Sequence, residues 1–162
     1  MKLSKQKAAA VLAALLALAL LCACGGSTGK NVPASELAEA VSGALGKTDA
    51  LASNDGTFLG LSGAAAAELG DYAILINRYG ANIDEFGVFH ASGDGASARE
   101  IKTLAEAYLA RRLEVWMEEY MPEEKPKLEN AEVRVSGDYV LYCILSDADK
   151  ATAFRAFEDA LK

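Results

Sequence analysis

The chain contains a single histidine, His90, and any Ser–His–Asp or Cys–His site would have to use it. Histidine is the side chain whose ordinary pKa suits proton transfer near neutral pH. His90 falls in a predicted strand, in phase with Phe86 and Val88, where a packed or edge histidine is the commoner arrangement. We therefore predict that His90 is not catalytic.

Cys143 is the candidate thiol nucleophile, since the other two cysteines lie at the amino end of the chain. It falls in the most apolar predicted strand, in phase with Leu141 and Leu145. A buried free cysteine behaves as a small hydrophobic residue, whereas a reactive thiol needs an accessible and electropositive setting. We predict a structural role for Cys143.

Metal-binding patterns are weak in this sequence. Asp147 and Asp149 begin like a calcium-binding loop, but Thr152 stands at the sixth position, where the loop needs glycine. No spacing of histidine, cysteine and carboxylate matches a zinc site. The sequence predicts no metal, no cofactor and no catalytic residue, and it favours a helix cap for the two aspartates.

An acidic run surrounds the end of the longest predicted helix. Two of its carboxylates at the right separation could hydrolyse a glycoside, but a solvated helix face is the usual meaning of such a run. A docking surface for a basic partner, or for wall polymer through cations, is a third interpretation. The run comprises Glu114, Glu118, Glu119, Glu123, Glu124, Glu129 and Glu132.

Glu85 is the polar residue that stands out within a predicted strand. It lies in phase with Gly87 and Phe89, on a face that would pack against the long helix. A buried carboxylate needs a partner, and Arg111 or Arg112 on that helix could supply it. We predict a pair between Glu85 and Arg112 that is structural first and functional second.

The amino end has the pattern of a secretory signal: three lysines, an uncharged apolar stretch over residues 8–23, and small residues at its end. Leu21-Cys22-Ala23-Cys24 resembles the lipobox of bacterial lipoproteins, which implies cleavage before Cys24 and a diacylglycerol thioether on it. Residues 1–23 are then a signal peptide and residues 24–32 a flexible tether. A retained membrane helix is the alternative, but the apolar part is short for a span.

Loss of the signal peptide changes the charge of the chain. Three of the 16 basic residues leave with it while all 23 acidic ones stay, so the mature side chains sum to −10. Such a surface disfavours nucleic acid and flat contact with anionic lipid. The expected partners are the membrane, through lipid on Cys24, and a protein or cell-wall component. The expected location is the outer face of the cytoplasmic membrane.

Hydrophobic periodicity predicts one α+β domain over residues 33–162. We expect two layers: an antiparallel sheet of about four strands, with the helices packed mainly on one face. Residues 47–63 are expected to be irregular and residues 123–129 a charged connector. The predicted helices cover 33–45, 64–69, 97–120 and 147–161, and the predicted strands cover 71–79, 83–91, 131–136 and 139–145. The long helix would carry Trp116 and Tyr120 on its apolar face.

From Tyr79 onward the chain resembles a family of lipoproteins from low-GC Gram-positive bacteria that is known only as a domain of unknown function. The matching stretches include residues 84–89, 119–122, 130–133 and 137–141. The resemblance implies the location and the fold but no activity. We therefore expect a lipid-anchored binding or scaffolding module without catalysis, and the alternative is a carboxylate-based cell-wall hydrolase.

Overall fold

A computed structural model describes residues 30–91, 95–117 and 119–162. The predicted signal peptide, Cys24 and most of the predicted tether therefore lie outside the described residues. Within these ranges no helix combines the length and the apolar character that a bilayer span requires.

The fold is built on a five-stranded antiparallel sheet with the strand order β1-β2-β3-β5-β4. The central strand β3 and its neighbour β5 are buried almost throughout, as expected for strands with nearly continuous apolar runs. The predicted α+β class and the antiparallel sheet are confirmed. The strands are β1 (Leu51–Ser53), β2 (Asp71–Asn77), β3 (Glu85–His90), β4 (Glu132–Ser136) and β5 (Tyr139–Ile144).

Helices cover both faces of this sheet, so the predicted arrangement with helices mainly on one face is corrected. Side chains alternate between faces along a strand, and the strands β3 and β5 present apolar side chains on both. One face packs on α1 and α6, and the other packs on α2 and α4. The helices are α1 (Ala34–Ala44), α2 (Gly56–Ser62), α3 (Ala66–Leu69), α4 (Ala98–Glu114), α5 (Lys125–Glu129) and α6 (Asp147–Ala160).

Two elements, β1 and α2, lie in the stretch that we expected to be irregular. Leu51 of β1 pairs with Asn77 at the edge of the sheet and adds the fifth strand. Phe58 of α2 is fully buried beneath the helical layer of α4. Both elements are too short for hydrophobic periodicity to reveal, and both depend on contacts with distant parts of the chain.

The long helix α4 begins as predicted and ends earlier. Ser97 caps it, accepting a hydrogen bond from the amide of Glu100, whose carboxylate in turn accepts from the amide of Ser97. The helix ends at Glu114 instead of continuing to Tyr120, which is exposed. Its last buried residue is Tyr108, and beyond Arg112, which binds Glu85, the side chains of Leu113 and Glu114 are exposed, so little further burial would stabilise a longer amphipathic helix.

Candidate functional site

A polar cluster within the described residues surrounds Glu85, whose carboxylate is fully buried. Its Oε1 accepts hydrogen bonds from the hydroxyls of Tyr108, at 2.5 Å, and Tyr142, at 2.7 Å. Its Oε2 accepts from Nη1 of Arg112 at 2.7 Å, and the same nitrogen donates to the Tyr108 hydroxyl at 2.7 Å. The structure thus brings together the Glu85 and Arg112 singled out from the sequence. The neighbouring Arg111 instead forms an exposed pair with a glutamate one turn on.

Three secondary-structure elements position this cluster. Tyr108 and Arg112 are four residues apart on α4 and therefore share a helix face. Tyr142 of β5 lies opposite Gly87 of β3, two residues after Glu85. A Cβ atom on Gly87 would lie 2.3 Å from Cε1 of Tyr142, so only glycine leaves room for the tyrosine ring. The ring therefore lies across the strand with its hydroxyl at the carboxylate.

The electrostatics of the cluster keep both tyrosines in their neutral, hydrogen-bond-donating form. Burial, together with the negative charge of Glu85, raises the pKa of Tyr108 and of Tyr142 above its usual value. Burial alone would lower the pKa of Arg112, but Glu85 and Tyr108 raise it. The carboxylate already accepts three hydrogen bonds, which joins α4 to the sheet through a satisfied buried ion pair.

A second polar cluster adjoins the first and was not anticipated from the sequence. The nearly buried carboxylate of Asp84 accepts hydrogen bonds from Lys47 and, at 2.9 Å, from Lys127. Lys127 also binds Glu124 at 2.8 Å, and that carboxylate accepts from the amide of Ile83 at 2.9 Å. Burial alone would raise the pKa of Asp84, but the two lysines lower it. The residues of this second cluster come from distant parts of the sequence, so no local pattern could reveal the cluster.

His90 lies at the opposite end of β3 from Glu85. Its ring stacks on Tyr139 with 4.3 Å between centroids, and its Nδ1 lies 3.9 Å from Oδ2 of Asp71. The Tyr139 hydroxyl accepts from the amide of Val32 at 2.8 Å, and Asp71 accepts from the amide of Ala34 at 2.8 Å. These hydrogen bonds hold the first described residues against the sheet. His90 packs beside them on Tyr139, which is a structural role.

Cys143 is fully buried in the apolar layer between the sheet and the helices α1 and α6. Burial raises the pKa of its thiol well above the usual value, so the thiol stays protonated. Ser146 caps α6 by accepting from the amide of Asp149, whose side chain pairs with Lys47. Asp147 pairs with Lys150. In the described ranges, no three metal-binding side chains converge.

Large apolar side chains are exposed where α4 ends. We call this region the 113–120 surface; it is formed by Leu113 (38% exposed), Val115 (50%), Met117 (65%) and Tyr120 (57%). The half-buried Trp116 packs inward beneath it, against the core layer between α4 and the sheet. Helical periodicity had placed Tyr120 on a buried face, and the early end of α4 overturns that prediction.

The acidic run is divided by the fold into separate groups. Glu114 and Glu119 are exposed within the 113–120 surface, and Glu123 is exposed just beyond it. Glu124 is buried in the Asp84 cluster, and Glu132 pairs with Lys150 on the other side of the sheet. The side chain of Glu118 lies outside the described residues. The run is therefore not one continuous helix face.

An open depression lies between α3 and the start of α4, and it brings two carboxylates to its wall. One is Glu68 of α3 and the other is Glu100, which belongs to the capping box of α4. Hydrogen bonds from Ser97 lower the pKa of Glu100. A glycosidase acid needs the opposite shift, toward a raised pKa, so Glu100 does not have the property expected of such an acid.

A known protein family matches this chain. The model of the domain of unknown function DUF4358 matches residues 63–145, just over half of the chain. The chain belongs to this family. The DUF4358 match extends from Gly63, just after α2, to the end of β5 and contains all four members of the Glu85 cluster, while α1, β1, α2 and α6 lie outside it. The resemblance to a domain of unknown function is thereby confirmed. No curated protein and no solved structure matches the chain.

Proposed function

We propose that this DUF4358 protein is a lipoprotein of the outer face of the cytoplasmic membrane, anchored through lipid on Cys24. Its domain acts as a non-catalytic binding or scaffolding module. The lipobox after an uncharged apolar stretch supports the anchor. Two acyl chains suffice for stable attachment without a basic patch, which suits a chain whose mature part carries a charge of −10.

The observation that carries the binding role is the 113–120 surface. Four large apolar side chains are exposed within eight consecutive positions, although the core layer next to them is buried. Adjacent exposed apolar side chains with a polar rim are typical of interaction sites. Tyrosine and methionine are enriched where proteins contact one another, and Tyr120 and Met117 are the most exposed members of the surface.

The carboxylates of the two buried polar clusters lack the features that a hydrolytic acid needs, and this favours binding over hydrolysis. Glu85 accepts three hydrogen bonds, one of them from Arg112. Asp84 is held by two lysines that lower its pKa. A carboxylate that delivers a proton to a leaving group needs a raised pKa and access to substrate, and these two carboxylates instead join elements of the fold.

The anchor is tested by metabolic labelling with a fatty-acid probe in bacterial cells. The wild-type chain and the control Cys22→Ala should incorporate the probe, because cleavage before Cys24 removes Cys22. Cys24→Ala should lose the label and accumulate as the unprocessed form. Labelling that persists in Cys24→Ala would contradict the assignment of the lipobox to Cys24.

The binding role is tested by formaldehyde crosslinking on intact cells followed by purification of the chain. We expect a partner that is retained by the wild type and by the control Val135→Ser, which removes an exposed apolar side chain from β4. The double variant Met117→Ser/Tyr120→Ser should retain much less of it. Equal recovery by all three proteins would contradict a binding role for the 113–120 surface.

A further inference from the structure

We infer that the 113–120 surface docks a protein segment whose apolar side chains are flanked by lysine or arginine, at the end of the domain remote from the tether. This inference rests on the proposed binding function and specifies its partner. It follows from the position of the surface in the fold and from the charge that surrounds it.

The sheet has two distinct ends. At the end that we call proximal, Asp71, His90 and Tyr139 hold the first described residues against the sheet. At the other, distal end, Glu85 binds Arg112 in the last turn of α4. The five residue steps from Glu85 to His90 span about 17 Å of strand, so the 113–120 surface, which follows Arg112, lies at the distal end.

This position bears on what covers the surface. The chain that would carry the lipid joins the domain at the proximal end, and the apolar side chains are exposed at the distal one. The 113–120 surface is therefore remote from the point of attachment, and a flexible tether leaves it accessible to a protein partner.

The charge around the surface defines that partner. Between Arg112, which is bound to Glu85, and Lys125 the sequence holds five glutamates and no lysine or arginine. Glu119 and Glu123 are exposed there, and the exposed Glu114 pairs with Arg111. A segment bearing lysine or arginine around apolar side chains complements this rim, and complementary charge guides association and excludes wrong partners.

The same charge disfavours two other occupants. A second copy of the chain in a twofold contact would place these glutamates opposite one another, and like charges across an interface are costly. Anionic lipid headgroups would be repelled in the same way. Both remain as outcomes that the experiment below distinguishes.

The test is site-specific photo-crosslinking in the full chain on intact cells. The photoreactive amino acid p-benzoylphenylalanine replaces Met117 or Tyr120, and a matched control carries it at Val135, an exposed position on β4. Mass spectrometry identifies the attached molecule and the segment joined. We expect adducts at positions 117 and 120, absent at 135, to a protein segment that contains apolar residues next to lysine or arginine.

A charge-reversal variant tests the electrostatic part of the inference. Glu119→Lys/Glu123→Lys should lower the adduct yield about fivefold or more, because two ion pairs with the basic side chains of the partner segment would become repulsive contacts. Glu39→Lys, which reverses an exposed charge on α1, should leave the yield unchanged. An equal loss in both variants would overturn the inference.

The identity of the adduct separates this inference from the broader binding role. Adducts at 117 and 120 to lipid, to another copy of the chain, or to a segment without basic residues would overturn the partner assigned here. A protein adduct that forms at 135 only would leave a binding role while refuting this surface. The absence of adducts at all three positions, together with no partner after formaldehyde treatment, would refute both.

Discussion

Replacing Gly87 by alanine should reveal how tightly the sheet and the Glu85 cluster depend on one another. The added Cβ would lie 2.3 Å from Cε1 and 3.0 Å from two further ring atoms of Tyr142. That ring is fully buried, stacks on Phe58 with centroids 5.6 Å apart, and donates its hydroxyl to Glu85. Because the ring is held from both sides, it cannot move away without loss of contacts.

The expected cost follows from these contacts. Forcing an extra methyl into a packed core costs about 1–3 kcal/mol. Displacing the Tyr142 hydroxyl from the charged acceptor Glu85 adds about 1.5–3 kcal/mol. Alanine is better than glycine within a strand by about 0.5–1 kcal/mol, which offsets part of this. We expect Gly87→Ala to lower the free energy of unfolding by about 2–5 kcal/mol.

A double-mutant cycle measured by urea unfolding tests this account. Tyr142→Val removes every ring atom that the new Cβ would meet, so Gly87→Ala in that background should cost less than about 1 kcal/mol. Gly60→Ala in α2, where a Cβ has open space, should be neutral or stabilising. The reasoning fails if Gly87→Ala costs the same with and without the Tyr142 ring, or if it costs no more than Gly60→Ala.

Three further perturbations probe the buried charges and the thiol. Arg112→Ala should lower the free energy of unfolding by about 3–5 kcal/mol, since it leaves the buried Glu85 without its cation. The exposed control Arg111→Ala should lower it by less than about 0.5 kcal/mol. Similar losses of stability for the two variants in urea unfolding would contradict a stabilising role for the Glu85–Arg112 pair. The lowered pKa of Asp84 contributes stability that is present above the usual aspartate value of about 3.9 and is lost as pH falls below it. Unfolding at pH 7, 5, 4 and 3 should therefore show a shallower acid dependence for Asp84→Asn, and an unchanged slope would exclude this role. Native Cys143 should resist iodoacetamide, as followed by mass spectrometry of its peptide, and react after denaturation because burial raises its pKa; rapid native labelling would show that the thiol is accessible.

Local sequence patterns identified the main elements of this fold and one of its buried pairs. The Ser97 capping box marks the start of α4, and alternation marks β3 and β4, because caps and periodicities depend on neighbouring residues only. Glu85 was singled out for the same kind of reason: a carboxylate in phase with apolar strand residues must find a partner once that face is covered. Arg112 was one of two adjacent candidates on the facing helix.

Only the tertiary structure shows that Arg112, and not Arg111, turns toward Glu85. It also shows that Tyr108 and Tyr142 complete the cluster. The Asp84 cluster likewise joins residues from three separate parts of the chain, including Lys47 and Lys127. An apolar strand shows that both of its faces are covered but not which helices cover them. Helical periodicity predicts an apolar stripe but does not show where the helix ends, and Tyr120 is exposed because α4 ends at Glu114. Short-range forces select the elements, whereas burial by distant segments selects their layers, their ends and the surface that stays open.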